Sequence, residues 1–242
     1  MFPKVSCLCP TYGRFPKMGH LLEEAVESFR RQTYLNKELV ILNDCKSQKL
    51  ECDVIGVRVL NVHHRYQTLG AKFNAMVVMA SGDLLMPWED DDISLPHRIE
   101  QAVGKIYGTE YWNPQRSWFW DDRGLHSDHQ HGVCHNASVF TPDAWFRSGM
   151  YPETSGNQDA EMDRRLRGYC KALNPPLEDT RDWSYLYRWG VSDCHLSGNH
   201  HHQRFWDEWG KKPIVEGEFK IRPQWHMPYD KLCLERCKEV AA

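Results

Sequence analysis

Four consecutive acidic residues, Glu89-Asp90-Asp91-Asp92, close the apolar stretch Gly82-Asp83-Leu84-Leu85-Met86-Pro87-Trp88. Carboxylates crowded at the end of a buried strand repel one another, and a divalent cation held through their oxygens relieves that repulsion. The run therefore points to a metal-assisted site. An acidic run standing alone is more often a solvated turn. Here apolar residues precede it and Ile93-Ser94-Leu95-Pro96, the start of a helical pattern, follows it. That context puts it on a strand-to-helix connection at the carboxyl edge of a sheet, where α/β proteins bind their ligands.

Two other strand ends carry polar clusters. Lys4 to Cys9 reads as a strand ending in Pro10-Thr11-Tyr12-Gly13-Arg14, and the next helix sets Leu21, Leu22, Ala25, Val26 and Phe29 on one face. Glu38 to Leu42 is a nearly continuous apolar run, as a strand covered on both faces requires, and it stops at Asn43-Asp44. Val57 to Val62 gives a third strand, Ala71 to Ala80 a helix, and Gly82 to Trp88 a fourth strand. This alternation predicts an α/β fold with an open, mostly parallel sheet and right-handed crossovers. Neither G-x-G-x-x-G nor G-x-x-x-x-G-K-[ST] occurs, so the common dinucleotide and phosphate loops are excluded.

With 242 residues, 41% hydrophobic and 26% charged, the chain suits one globular unit. Its 30 basic and 33 acidic side chains leave a net charge of -3, which gives no broad positive field for nucleic acid. No apolar run is long enough to span a membrane, and Met1-Phe2-Pro3-Lys4 lacks a signal-peptide pattern, so a cytoplasmic location is expected. Nine cysteines spread through strands and helices read as reduced thiols, with Cys7 and Cys9 on one strand face and Cys233 and Cys237 one helical turn apart. Cys194, His195 and His200 to His202 lack the paired C-x-x-C of a structural zinc site.

All ten tryptophans fall at or beyond Trp88, so the second half is built differently. Most tryptophans pack into cores. Trp118-Phe119-Trp120-Asp121-Asp122 is the candidate exception, since rings and hydrogen-bonding carboxylates adjoin there as an acceptor cleft would use them. The tail from Lys231 to Cys237 has helical spacing, with Leu234 and Cys237 expected on a shared stripe that docks on the body or on a partner.

Several segments, in order, resemble a family 2 glycosyltransferase. They are Val5 to Arg14, Ser28 to Tyr34, Glu38 to Asp44, Gly70 to Ala75, Ser81-Gly82-Asp83 with the acidic run, Asn136 to Phe140, Gly149 to Glu153 and Gln158 to Leu166. The resemblance covers roughly residues 4 to 190. It implies the GT-A fold, with a Rossmann-like, mostly parallel central sheet flanked by helices and a smaller acceptor-side subdomain. Residues 1–95 would form the nucleotide-sugar-binding half, and 96–242 the acceptor-binding half and tail of one continuous domain. The implied activity is inverting transfer of a sugar from a nucleotide-sugar donor, expected to be UDP-linked, to a hydroxyl of a carbohydrate or other acceptor.

Carried over by position, the resemblance assigns Pro10, Thr11, Tyr12, Arg14, Asp44, Lys72 and Asp90 to the donor. Tyr12 would sit against the base, Asp44 would accept from it, and Asp90 would hold the ribose. Lys72 and Arg65 would meet the phosphates. Asp91 would coordinate the metal, with Asp92 in reserve and His195 a further candidate ligand. Glu89 stands where the family often has the first Asp of its D-x-D pattern. Asp159 would be the catalytic base and Glu161 its substitute, with Gln158 replacing the glutamate of the family's Glu-Asp pair. Ser155-Gly156-Asn157-Gln158 also reads as a capping box, which by itself favours an acidic residue in the first helical turn. Asp163 is expected to pair with Arg167 one turn later. Tyr187-Arg188-Trp189 resembles the family's late strand, where an Arg or His would approach the diphosphate, whose departure a hard cation such as Mn2+ or Mg2+ would stabilise. Two other functions fit the same fold: a sugar-phosphate nucleotidyltransferase, whose Gly-rich Arg/Lys loop is missing after the first strand, and a non-catalytic carbohydrate-binding module.

Overall fold

A computed structural model of the chain describes residues 2–121, 123–127, 135–170, 174–188 and 214–240. The candidate ligand His195, with Asp122, Cys194, Trp189 and His200 to His202, lies outside the described residues. The first half runs β1 (Val5–Thr11), α1 (Gly19–Arg30), β2 (Lys37–Asn43), β3 (Gln48–Glu51), β4 (Val57–Asn61), α2 (Leu69–Met79) and β5 (Leu84–Pro87). The second half continues with β6 (Ile93–Ser94), α3 (Arg98–Lys105), β7 (Tyr111–Trp112), β8 (Trp118–Asp121) and β9 (Gly124–Ser127). It ends with β10 (Val139–Phe140), α4 (Pro142–Arg147), α5 (Gln158–Tyr169), β11 (Tyr185–Arg188), β12 (Gly217–Lys220) and α6 (Tyr229–Val240).

The central sheet has the order β4-β2-β1-β5-β10-β7, with β4, β2, β1 and β5 parallel and β10 antiparallel to both its neighbours. This is the mostly parallel sheet expected from the alternation of strands and helices. Every residue of β1 is buried, because helices cover both faces of the sheet. Side chains alternate between two cores: Cys7, Cys9, Leu39 and Ile41 pack with α1, while Leu8, Leu42 and Leu85 pack with Phe73 and Met76 of α2. A second sheet, β6-β11-β8-β9, begins directly after the acidic run. Glu89 to Asp92 is thus the connection between two sheets, and the helix expected after it starts only at Arg98.

Two elements depart from the pattern read in the sequence. β3, which has a single apolar residue, pairs in parallel with β12, a contact made across about 170 residues that no local periodicity reveals. In α6 the buried stripe is Tyr229, Cys233 and Cys237, spaced by four, whereas Leu234 is 56% exposed. The helix docks on the body through that stripe, alongside Trp183 and Ile221. Burial pushes the Cys7 and Cys233 thiols up to about 12, consistent with inert thiols. Trp118 is fully buried against Trp183, and the partly buried Trp120 meets Tyr229, so these two rings pack on the core. No helix among the described residues is long and apolar enough to cross a membrane.

Helix α2 is stitched to the segment that leads into α5. The side chain of Asn74 donates to the carbonyl of Tyr151 at 2.9 Å and accepts from the Tyr151 N–H at 3.0 Å and from Trp145 Nε1 at 3.1 Å. Gly70 N–H donates to the carbonyl of Thr154 at 3.1 Å. A β-carbon on Gly70 would lie 1.8 Å from the carbonyl oxygen of Pro152, a contact that only backbone movement relieves. Gly70→Ala is therefore expected to lower the unfolding free energy by about 1–3 kcal/mol or more. An unchanged urea midpoint would show that the contact yields without cost.

At the opposite edge of the sheet, Glu38 accepts from Ser6 Oγ at 2.6 Å and from the N–H and Oγ of Ser81, both at 2.8 Å. Burial would raise its pKa, but these bonds and Lys4 outweigh burial and hold it at about 2. A carboxyl depressed in the folded state contributes stability that is complete above its unfolded value and is lost as pH falls towards about 2. Acid titration followed by circular dichroism should show stability dropping below about pH 4.5, with a shallower drop in Glu38→Gln. Parallel curves for the two proteins would remove Glu38 as a cause.

Candidate active site

Strand ends create the site. β1, β2 and β5 run in parallel, so the polar residues that follow each one emerge at the same edge and face a cavity of about 890 Å3. Pro10, Thr11, Tyr12 and Arg14 reach it from β1, Asp44 from β2, and Glu89 to Asp92 from β5. Arg65 to Leu69, Lys72, Asn136, Ser155 to Asp159 and Tyr187 complete its lining. The residues singled out in the sequence are thus brought together, apart from the undescribed His195 and from Glu161, Asp163 and Arg188. Glu161 does not line the cavity: both its oxygens are taken by Arg164 and Arg165 on the outer side of α5. Asp163 is also directed elsewhere, to Arg167 as expected and to Tyr111 and Asn113 as well.

Part of the charge of the acidic run is met from within the chain. Arg14, 3% exposed, donates through Nε to Asp90 Oδ2 at 2.8 Å, through Nη2 to Asp90 Oδ1 at 2.5 Å and through Nη2 to Asp91 Oδ2 at 3.0 Å. Burial alone would lift the pKa of Asp90, but the guanidinium beside it holds it below the usual value. Asp92 is gripped by β11: Tyr185 Oη donates to Oδ2, and the Arg188 N–H donates to Oδ1 at 2.8 Å. Burial and the charge of Asp91 still push Asp92 up to about 7. Repulsion that the chain leaves unrelieved thus raises Asp92 and Glu89, and Asp92 has both oxygens committed to the protein.

Two carboxyls remain open to the cavity. Glu89 makes no hydrogen bond among the described residues, and burial with the charges of Asp91, Asp92, Asp90 and Asp159 raises its pKa well above the carboxylate range. Asp91 keeps one oxygen, Oδ1, without a hydrogen bond among the described residues. No group of three or more His, Cys, Asp or Glu side chains poised to hold a metal ion occurs among the described residues. The donor set thus suits a hard cation that takes one or two carboxylates from the protein and its remaining oxygens from water and phosphate. Glu89 is the open carboxyl that the sequence left unassigned, because position alone does not tell which member of the run has a partner.

On the β2 side, Asp44 is saturated. Its Oδ1 accepts from Lys72 Nζ at 2.6 Å and from Arg65 Nη1 at 2.9 Å, and its Oδ2 accepts from the Tyr66 N–H at 3.0 Å. Lys72 Nζ also donates to the carbonyl of Thr11 at 2.7 Å. Burial lowers the pKa of Lys72, and Asp44 offsets part of that effect. Lys72 therefore joins the floors of two loops, where the sequence suggested a cation aimed at phosphate. Arg65 lies over the Tyr12 ring, 3.5 Å from its centre, in the geometry of a cation–π contact.

Asp159 stands in the first turn of α5 and lines the cavity. The capping box does not form: Asn157, at φ 60°, is the N-cap and makes no side-chain cap, and Asp159 Oδ1 accepts from the N–H of Ala160 at 2.8 Å. Behind it, His135 Nε2 and Tyr151 Oη are 2.7 Å apart, and burial takes His135 down to about 4, so it stays neutral. The arginine of Tyr187-Arg188 turns away from the cavity to Glu24, with Nη1 2.5 Å from Oε2.

The profile of Glycosyl transferase family 2 matches residues 6–150. The uncharacterized glycosyltransferase YwdF of Bacillus subtilis is 31% identical over 112 residues, which are 45% of this chain and 40% of that protein. Among solved structures, S. aureus TarS 1-349 in complex with UDP-GlcNAc superimposes with a TM-score of 0.64 at 13% identity, covering 84% of this chain and 64% of that one. The mannosyltransferase PcManGT from Pyrobaculum calidifontis, in complex with GDP-Man and Mn2+, does so with a TM-score of 0.54 at 15% identity, covering 88% and 66%. The chain spans about 40% of the length of the curated relative it matches. The profile match over more than half of the chain, joined to a mostly parallel sheet with its acidic run at the carboxyl edge, places this protein in glycosyl transferase family 2.

Proposed function

We propose that this chain transfers a sugar from a nucleotide-sugar donor to an acceptor hydroxyl with inversion at the anomeric carbon. One observation carries the reading: the open carboxyls at the end of β5 and Asp159 at the start of α5 line the same cavity, close enough for Asp159 to raise the pKa of Glu89. A single displacement needs such an arrangement, with the leaving group held on one side and a base for the attacking hydroxyl on the other. Asp159 takes the hydroxyl proton as that oxygen bonds to the anomeric carbon, and the bond to the diphosphate breaks with its electron pair leaving on the diphosphate.

The chain contributes the rest of the machinery in the same cleft. Tyr12 offers an aromatic face for the base, with Arg65 above it. Nη1 of Arg14 is buried without a hydrogen-bond partner among the described residues, and a donor oxygen beside the acidic run satisfies it. Asp91, through its open oxygen, and Glu89 are the residues that would hold a divalent cation. When bound, that ion supplies positive charge to the departing diphosphate. UDP-linked sugars are the first donors to test, since one structural neighbour was solved with UDP-GlcNAc and another with UDP.

Incubation with a panel of nucleotide sugars, Mn2+ and Mg2+ should release nucleoside diphosphate slowly without acceptor and faster with the right one. Absence of release from every donor would sink the proposal. Asp159→Asn is expected to bind donor as the parent does and to lose transfer by about two to four orders of magnitude. Transfer at the parental rate would remove Asp159 as the base. Asp91→Asn is expected to abolish the dependence of nucleotide binding on Mn2+, read by calorimetry with and without the ion. A variant that keeps that dependence would exclude Asp91 as the ligand.

A further inference from the structure

Glu24 lies in α1, outside the cavity and 1% exposed, yet its two oxygens are shared among three partners from the far end of the chain. Oε2 accepts from Arg188 Nη1 at 2.5 Å, and Oε1 accepts from Tyr229 Oη at 2.7 Å and from the His226 N–H at 3.1 Å. Arg188, 5% exposed, continues the line: its Nε donates to the backbone carbonyl of Asp91 and its N–H donates to Asp92 Oδ1 at 2.8 Å. Tyr185, two residues earlier on β11, donates to the other oxygen of Asp92. A buried, hydrogen-bonded relay therefore runs from the first residue of α6 through Glu24 and Arg188 to the peptide that carries Asp91.

We propose that Glu24 is a positioning residue: it orients Arg188 so that β11 fixes the Asp91-Asp92 peptide, and it makes docking of α6 a condition for that placement. A charged side chain buried this deeply persists only with good partners, and Arg188 has its guanidinium divided between Glu24 and the acidic run. Loss of the Glu24 charge removes the anchor of Arg188 Nη1 and so loosens the hold of Arg188 Nε on the Asp91 carbonyl. The peptide bond of Asp91 then loses its fixed orientation, and with it the open oxygen facing the cavity. The functional weight of this relay rests on the donor-site reading above, whereas the relay itself is tested without any donor.

Hydrogen exchange of the unliganded full chain tests it. The N–H groups of Trp88 and Leu95 bond to Leu8 and Ser184, so a peptide spanning 88–95 reports how firmly the run is held. Glu24→Gln should speed exchange in that peptide at least fivefold, and Tyr229→Phe about twofold by removing one donor to the same carboxylate, while a peptide over 38–42 of β2 stays unchanged. Unchanged exchange at 88–95 in the folded variants overturns the proposal, as does an equal rise in both peptides. Should Glu24→Gln not fold, Tyr229→Phe carries the test. Calorimetry with UDP and Mn2+ then reads the consequence: a Kd at least fivefold weaker at unchanged stoichiometry marks positioning, whereas a lower stoichiometry at unchanged Kd marks lost fold and refutes it. A parent protein that binds no nucleotide would count against the donor-site reading alone and leaves the exchange result to decide on Glu24.

Discussion

The site depends on how four adjacent carboxyls are kept together out of water. Arg14 answers from β1, with a two-pronged bond to Asp90 and a third contact to Asp91, and Arg188 answers from β11 through the backbone of Asp91 and the side chain of Asp92. Removing a carboxylate from water is costly unless its charge is met at close range, and a guanidinium meets two at once. The division of partners is unequal, and that inequality has chemical use. Asp90 is fully committed, Asp92 is bonded through both oxygens, and Glu89 and Asp91 are left with capacity to spare. Neighbours in one tetrapeptide thereby acquire separate chemical characters, the pKa of Asp90 held down by Arg14 and that of Glu89 pushed up by burial and the adjacent charges.

The run also joins the two sheets. β5 delivers it from the central sheet and β6 carries the chain straight into the second one, where β11 is the next strand. Trp88 anchors the near side through its Nε1–H bond to the carbonyl of Ala25, and Tyr185 and Arg188 anchor the far side. The two sheets share one hydrophobic core, and the run lies at the seam where both reach the cavity wall. A loop strung between rigid edges can hold oxygens where a ligand needs them, which a loop free at both ends cannot.

Much of this was legible in the sequence because the relevant signals are local. The near-continuous apolar runs of β1 and β2, the helical spacing after them and the polar residues at each strand end announced a parallel sheet and the edge that binds. Chemistry-bearing residues at those edges, from Tyr12 and Arg14 to Asp91 and Asp159, do meet in one cavity. Where reading from sequence fell short, the cause was pairing over long distance. Nothing near Gln48 announces β12, and nothing near Arg188 announces Glu24. The partner of a charged side chain decides whether it is a ligand or a support, so Lys72, Arg188 and Glu161 were placed in the right region with their directions unread. The expected capping box failed for a related reason, since Asn157 adopts a left-handed backbone that takes the side chains of that turn out of capping range.

The close approach of Gly70 to Pro152, with Asn74 fastened to Tyr151 nearby, means that α2 and the turn before Asp159 behave as one building block although about 80 residues separate them. Recombination between relatives that swaps the second half for another would part these surfaces at their tightest point. A graft that carries residues 68–80 together with 150–160 keeps the glycine against the carbonyl it accommodates, and so leaves Asp159 at its place in the cleft.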